Sequence, residues 1–493
     1  MKDSIIISIL SIIQTFLTLG YQIFILNIFG FNNELDIYFA SNSINFILVS
    51  ISIGAINLSI TPILIKYYKN KDQNKLRELA TSIFNILLLF FFLFACLQYL
   101  CAPYILRLIL PGFSGSDLEI AVQLFRLQAF LSIITIVSSV LLSLHYTFNM
   151  LYKTIVYPLI SQGVQILFVW VFYEQFGVFA LLYGLVINQC LTFILLALPF
   201  IRIYKLKIIL NSELKKALRK IYPLILSSSF SKSNILIDRF FASTLLSGSI
   251  TLLYYGEKII RIISDFINKG ISLVSLRKFS LEKDNEKEFQ RLFYLIFKVM
   301  IFIVVPVSIM IIFFLRDALN IIVLSNKLSN QDIDKLYWII IAFIGVLIGG
   351  SLNSTITNAF YAKGLTKLIA KVNVILQIFG IVMKIGLFYL LGFWGLPIAF
   401  SITSIIGVFT LLAIYDKQIY SYDFKKLFNY VFKIIIIGLL SLLLPLILSN
   451  YLVEFWAYKL LINLVLYSST FILLALIFEK NISYIICEKI KLK

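Results

Sequence analysis

The sequence predicts an all-α polytopic membrane protein. It has about 14 transmembrane helices, arranged as two pseudo-symmetric six-helix lobes followed by a C-terminal helix pair. Three observations predict this. Of 493 residues, 60% are hydrophobic and 14% charged, and mean hydropathy is +0.97; soluble chains run at about 45–50% apolar and about 25% charged. Apolar runs of about 20 residues, the length that crosses a roughly 30 Å hydrocarbon core, recur from end to end. The connections between them alternate between basic and uncharged.

The first span is expected at 4–28. Its start, MKDSIIISILSIIQTFLTLG, lacks a small-residue cleavage site and runs straight into the next span, so it reads as a retained helix. The turn FGFNNELD (29–36) carries no Lys or Arg and leads to span 37–65; Lys66, Lys69, Lys71, Lys75 and Arg77 follow, before 80–101. Spans 121–148 and 155–173 flank Lys153, and EQFG (174–177) turns the chain into 178–201. A basic stretch, Arg202, Lys205, Lys207, Lys215, Lys216, Arg219 and Lys220, precedes span 222–246; LSGSI (246–250) opens 250–275. Arg277, Lys278, Lys283 and Lys287 separate it from 292–315; Lys363 and Lys367 separate 336–360 from 369–391. Spans 396–415, 429–449 and 455–478 complete the set, with Lys417, Lys425 and Lys426 between them and Lys480, Lys489, Lys491 and Lys493 in the tail. Only 102–120 and 316–335, with Arg107, Arg316, Lys327 and Lys335, break the alternation.

Basic loops stay cytoplasmic during insertion, so the expectation is a plasma (inner) membrane protein with both termini in the cytoplasm. Topology and anionic lipid contact account for the net charge of +19; nucleic-acid binding is not expected. The division this implies is a lobe over 1–205, a basic linker over 206–221, a second lobe over 222–416, and a helix pair with a basic tail over 417–493. DIYFAS (36–41) and DRFFAS (238–243) look alike, but aligning outer turns pairs 30–44 with 247–260, so the likeness is read as coincidence. Parallel repeats of this kind place a transporter's substrate site between the halves.

Catalysis has little material. Cys96, Cys101, Cys190 and Cys487 form no CxxC and read as packing residues. A single histidine, His145, leaves no His-based metal cluster or catalytic triad. No GxxxxGK[ST] loop signals direct ATP use. The expectation is a transporter, not an enzyme, monomeric, with no metal and no cofactor beyond coupling to membrane potential, protons or sodium.

Charges within the spans are costly, at about 2.5–3.5 kcal/mol or more at a helix centre, so they face partners or water. Lys232, Asp238 and Arg239 lie in the seventh span and Lys384 in the eleventh. In the eighth, Glu257, Arg261, Asp265 and Lys269 recur every four residues on one face, with Lys258 one residue aside. Two readings stand. One is a self-neutralising ladder, with Asp238 and Arg239 in structural pairs and Lys269 reaching to the interface. The other is a cationic, water-filled cavity for an anionic group, with Lys258, Arg261, Arg239 and Lys384 as its cations and Glu257, Asp265, Asp238 and Asp36 as coupling or charge-balancing acids. The first half offers neutral amides instead: Gln14, Gln22, Asn27, Asn42, Asn45 and Asn57, expected mostly to bond between helices. Gly256 and Gly270 are candidates for bending points.

Several stretches carry a resemblance: FGFNNELDIYFASNSI (29–44), GAINLSITPIL (54–64), LPGFSGSDLEIAVQLFRL (110–127), IDRFFASTLLSGSITLLYYGEKI (237–259), NAFYAKGLTK (358–367) and GFWGLPIAFSI (392–402). In this order they resemble the MurJ-type lipid II flippases of the multidrug/oligosaccharidyl-lipid/polysaccharide exporter superfamily, and their Wzx relatives. The resemblance implies a 14-helix, two-lobed transporter that moves an undecaprenyl-pyrophosphate-linked saccharide outward by alternating access, with the extra helix pair forming a groove for the lipid tail. It places the family's helix-eight cation on Lys258 and its acid after the first turn on Asp36. The chain departs from the family at TFLTLGYQIF (15–24) and NFILVSISIG (45–54), which hold none of the family's arginines. That departure points toward a capsule or O-antigen type unit alongside a peptidoglycan precursor.

Two other classes compete. A MATE-like cation antiporter on the same scaffold would want an acidic cavity, whereas these buried charges lean basic. A polysaccharide polymerase or ligase would show a large outer loop with clustered acids or histidines, and 102–120 and 316–335 are short and lack them.

Overall fold

The computed structural model describes residues 2–201, 232, 234–322, 328–420, 424–452 and 456–478, and among them all regular structure is helical. The basic linker, the start of the expected seventh span, Cys487 and the basic tail lie outside the described residues. The helices are α1 (Lys2–Phe29), α2 (Asn33–Lys69), α3 (Gln73–Ile109), α4 (Gly115–Thr147), α5 (Lys153–Phe176) and α6 (Val178–Ala197). Residues 234–243 form α7, followed by α8 (Ser249–Leu281), α9 (Glu286–Ile322), α10 (Asn330–Ala342) and α11 (Ile344–Ala362). Then come α12 (Thr366–Leu391), α13 (Gly395–Gln418), α14 (Phe424–Leu440), α15 (Leu443–Leu452) and α16 (Trp456–Phe478).

Eleven stretches among the described residues are long and apolar enough to cross a membrane. One of them, Thr366–Gln418, is two helices folded back at Gly392–Trp394, while α7 and the charge-bearing α8 fall outside that criterion. With α10–α11 and α14–α15 each counted as one interrupted helix, the described helices number fourteen, in keeping with about 14 expected. The protein is a multi-pass membrane protein.

Two expected helices are broken. The span expected at 336–360 begins earlier, at Asn330, because Ser329 and Asp332 form a capping box; it is then interrupted at Phe343, whose N–H reaches the carbonyls of both Ile339 and Ile340. The span expected at 429–449 is interrupted at Ser441–Leu442. Other ends follow local chemistry. Asn32 accepts from Leu35 N–H to start α2, and Asp72 accepts from Lys75 N–H to start α3.

Contacts divide the chain into two compact units, Met1–Thr251 and Leu252–Lys493, so that α7 and the first three residues of α8 pack within the first. The division at the basic linker follows chain order; this one follows packing. Each unit repeats the same hairpin. Gly177 ends α5 at φ 53°, ψ −133°, and Gly392 ends α12 at φ 58°, ψ −134°, a region open in practice only to glycine. Gly395 then lets α13 close on α12, since a Cβ there would stand 2.1 Å from the Leu387 carbonyl oxygen. In the first unit α4 packs on α2, α3 and α6; in the second α11 packs on α9 and α13. One apolar core of the first unit runs through Ile56, Ile60, Leu64, Leu79, Ile83 and Leu144.

Candidate functional site

The turn that opens α8 is gripped by Asp36, 212 to 215 residues away in sequence, and by Arg239, 11 residues away. Asp36, 3% exposed in the first turns of α2, accepts from the backbone N–H groups of Gly248 and Thr251, both at 2.7 Å, and from the Thr251 hydroxyl at 2.6 Å. These are the otherwise orphaned donors of a helix N-terminus, where a negative charge is also favoured by the helix dipole. Gly248 holds φ 90°, and a Cβ on it would press at 3.1 Å on the Phe31 backbone. Arg239 on α7, also 3% exposed, donates from Nε to the Ser43 hydroxyl at 2.9 Å and from Nη1 to the Ile250 carbonyl at 3.3 Å. Ser43 can accept because its own proton goes to the Phe39 carbonyl. Asp238 is buried beside it.

The same end of the first unit is closed by a third loop. Gly112, between α3 and α4, donates its N–H to the Ser243 hydroxyl at 3.3 Å, and a Cβ there would stand 1.7 Å from the Ser243 carbonyl oxygen. The hexapeptides DIYFAS and DRFFAS, unrelated by the turn alignment, thus contribute Asp36 from one and Arg239 and Ser243 from the other to a single polar knot. Spacing could not have found it, since its contacts to Gly112, Ser43 and Asp36 join residues 131, 196 and 215 apart. Gly248 ahead of Ser249 and Thr251 was its only local signal.

Further along α8, in the second unit, the charges behave differently. Arg261 donates from Nε to Glu257 Oε1 at 2.8 Å and from Nη2 to the same oxygen, with its side chain 49% exposed and that of Glu257 14%. Lys258 is half-buried, with Arg261, Glu257 and Asp265 as the charges acting on it. Among the described residues Lys258 makes no hydrogen bond and no ion pair. Asp265 and Lys269 are exposed and enter no ion pair among the described residues. The ladder of alternating signs is therefore a single closed rung, Glu257–Arg261, with a cation beside it. The neutral side of α8 packs on α11: Asn268 donates to the Ser351 hydroxyl at 3.4 Å, and Asn358 donates to the hydroxyls of Ser272 and Ser275 at 2.8 and 3.0 Å. Gly256 serves close packing, since a Cβ would stand 2.4 Å from Ile339 Cγ2.

Lys384 on α12 is 1% exposed, its ammonium 4.9 Å from the centre of the Phe400 ring on α13. Lys384 belongs to the second unit and Arg239 to the first. Of the amides expected to join helices, Asn45 donates to Gln128 at 3.2 Å and accepts from Gln98 at 3.4 Å, and Asn57 accepts from Ser143 at 3.0 Å. Asn27 donates to the Ile23 carbonyl of its own helix at 3.0 Å.

A family model described as "Lipid II flippase MurJ" matches residues 25–467. The probable lipid II flippase MurJ of Buchnera aphidicola subsp. Schizaphis graminum (strain Sg) is 24% identical over 479 residues, covering 92% of this chain and 91% of that one. The probable lipid II flippase MurJ of Vibrio cholerae serotype O1 is 23% identical over 433 residues, 83% and 81% of the two chains. Among solved structures, a lipid II flippase MurJ in an inward closed conformation superposes with a TM-score of 0.83 at 21% identity, over 97% of this chain and 99% of that one. An inward-facing multidrug MATE family transporter of the MOP superfamily gives 0.63 at 15% identity, over 82% and 94%. These two likenesses are of fold. The sequence match is what decides kinship, and by it the chain belongs to the lipid II flippase MurJ family.

Proposed function

We propose that the protein is a flippase, moving an undecaprenyl-pyrophosphate-linked saccharide from the inner to the outer leaflet of the bacterial plasma membrane, with both termini in the cytoplasm and the binding groups exposed to the two sides in turn. Lipid II, the substrate its relatives are named for, is the first candidate cargo. The observation that carries the reading is Lys258. A half-buried ammonium with no bonded partner among the described residues is expensive in a membrane helix, and a pyrophosphate would repay that cost. Arg261, oriented by Glu257 and half-exposed, adds a second positive charge beside it. Glu257 and Asp265 are the acids available for coupling to protons or sodium. Asp36 and Arg239 hold the turn that opens α8.

The test is movement of a fluorescent lipid-linked sugar in vesicles holding the full chain. Lys258→Ala should slow it about 10- to 100-fold, the worth of one charge-assisted hydrogen bond to a phosphate, with the melting temperature unchanged; Arg261→Ala should slow it as well. Wild-type rates in both variants would remove the site from transport. A second reading, a capsule or O-antigen type unit as cargo, is favoured by the absence of arginine from 15–24 and 45–54. Parallel assays with the peptidoglycan precursor and with a surface-polysaccharide lipid separate the two.

A further inference from the structure

On the other side of the first unit from its polar knot lies an apolar crevice of about 360 Å³, open to its surroundings. It is lined from α3 by Ala80, Thr81, Phe84 and Leu88, from α4 by Leu141 and its neighbours, and from α6 by Phe193 and Ala197. The start of α3 and the ends of α4 and α6 carry the basic connections, so the crevice belongs to the leaflet facing those loops. Along α3, Arg77, Thr81, Phe84 and Leu88 follow at intervals of four, three and four residues, which is one helical face. Helical side chains lean toward the N-terminus, so Arg77 reaches from the crevice toward the membrane surface.

Charge distinguishes this crevice from ordinary lipid-facing surface. The nearby cation Lys75 is already paired with Asp72 at 2.9 Å, whereas Arg77 is exposed and enters no ion pair among the described residues. The Thr81 hydroxyl likewise makes no hydrogen bond among the described residues, unlike Thr135 and Thr147 on α4, which bond back to their own helix. A guanidinium and a hydroxyl one turn apart, above an apolar slot, match a phosphodiester carrying an acyl chain.

We propose that the α3–α4–α6 crevice is a binding site for an anionic glycerophospholipid of the cytoplasmic leaflet, with its phosphate on Arg77 and Thr81 and one acyl chain between Phe84, Leu141 and Phe193. The proposal rests on the inside orientation of the basic loops and is independent of the substrate site on α8.

The experiment uses the full chain in vesicles with a phosphatidylglycerol bearing a photoreactive acyl chain, the crosslinks being mapped by peptide mass spectrometry. Crosslinks should fall on 80–88, 141–144 and 193–197. Arg77→Gln should reduce them about fivefold, the worth of one basic residue at a membrane surface, while leaving labelling by the phosphatidylcholine analogue unchanged. Ala197→Leu, which fills the slot, should reduce labelling by both lipids. Equal labelling by the two lipids in the wild type, or no change with Arg77→Gln, would overturn the proposal. So would displacement of the label by inorganic phosphate alone, or by polyprenyl phosphate, which would reassign the crevice to the transported lipid's tail. Arg77→Gln lies on the exposed face of α3, so its folding is not at risk.

Discussion

At the entrance of α8 the charged groups point at backbone. Asp36 is consumed by two peptide N–H groups and a hydroxyl, and Arg239 donates to a carbonyl and a serine. Two turns on, Lys258 has no bonded partner among the described residues, and Arg261 shares one carboxylate oxygen at half exposure. A charge that completes secondary structure gains most of its bonds within the protein. A charge set beside a satisfied ion pair keeps its bonding capacity for something that arrives. The contrast separates charges on α2 and α7 that build the start of α8 from the lysine carried two turns further along it.

Breaking the structural side should give the largest effect on stability. Asp36→Ala leaves buried helix donors without an acceptor and should cost about 3 kcal/mol or more, seen as loss of folded protein when detergent samples are heated. Melting like the wild type would mean the turn holds without its acid. Gly177→Ala and Gly392→Ala come next, at about 1–3 kcal/mol each for the strained backbone. Nothing crowds a Cβ at Gly392, and at Gly177 only Glu34 comes within 3.7 Å, so the two losses should be nearly equal. A marked inequality in their melting temperatures would show that the repeated hairpins are not equivalent in energy. The smallest effect belongs to the neutral network: Asn45→Leu should cost about 0.6 kcal/mol, the average for interhelical hydrogen bonds in membranes. A loss as large as that of Asp36→Ala would erase the distinction drawn between charged and neutral contacts.

Much of the fold was legible because hydrocarbon thickness dictates length. The passes at 4–28, 178–201 and 455–478 fall where α1, α6 and α16 lie. What escaped was set by other forces. The capping box at Ser329–Asp332 was written in the sequence but lay ahead of the apolar run that guided the boundary. The interruption at Phe343 has no proline to announce it, and Gly345 follows only because Ser401 packs within 2.6 Å of its missing Cβ. At the site, a four-residue period was enough to pair Glu257 with Arg261, while Lys258, off that period, was marked by the resemblance. It could not show that Arg239 serves Ser43 and Ile250, because those contacts come from tertiary packing. Nor could it show that Lys384 lies sealed over an aromatic ring.

The lengths of α2 and α3 have a consequence of their own. At 37 residues each, they span about 55 Å, against a hydrocarbon thickness of about 30 Å. Near the turn that joins them, Leu64 of α2 and Leu76 and Leu79 of α3 lie in one buried cluster. The hairpin of α2 and α3 thus carries its own apolar core at the end where it turns.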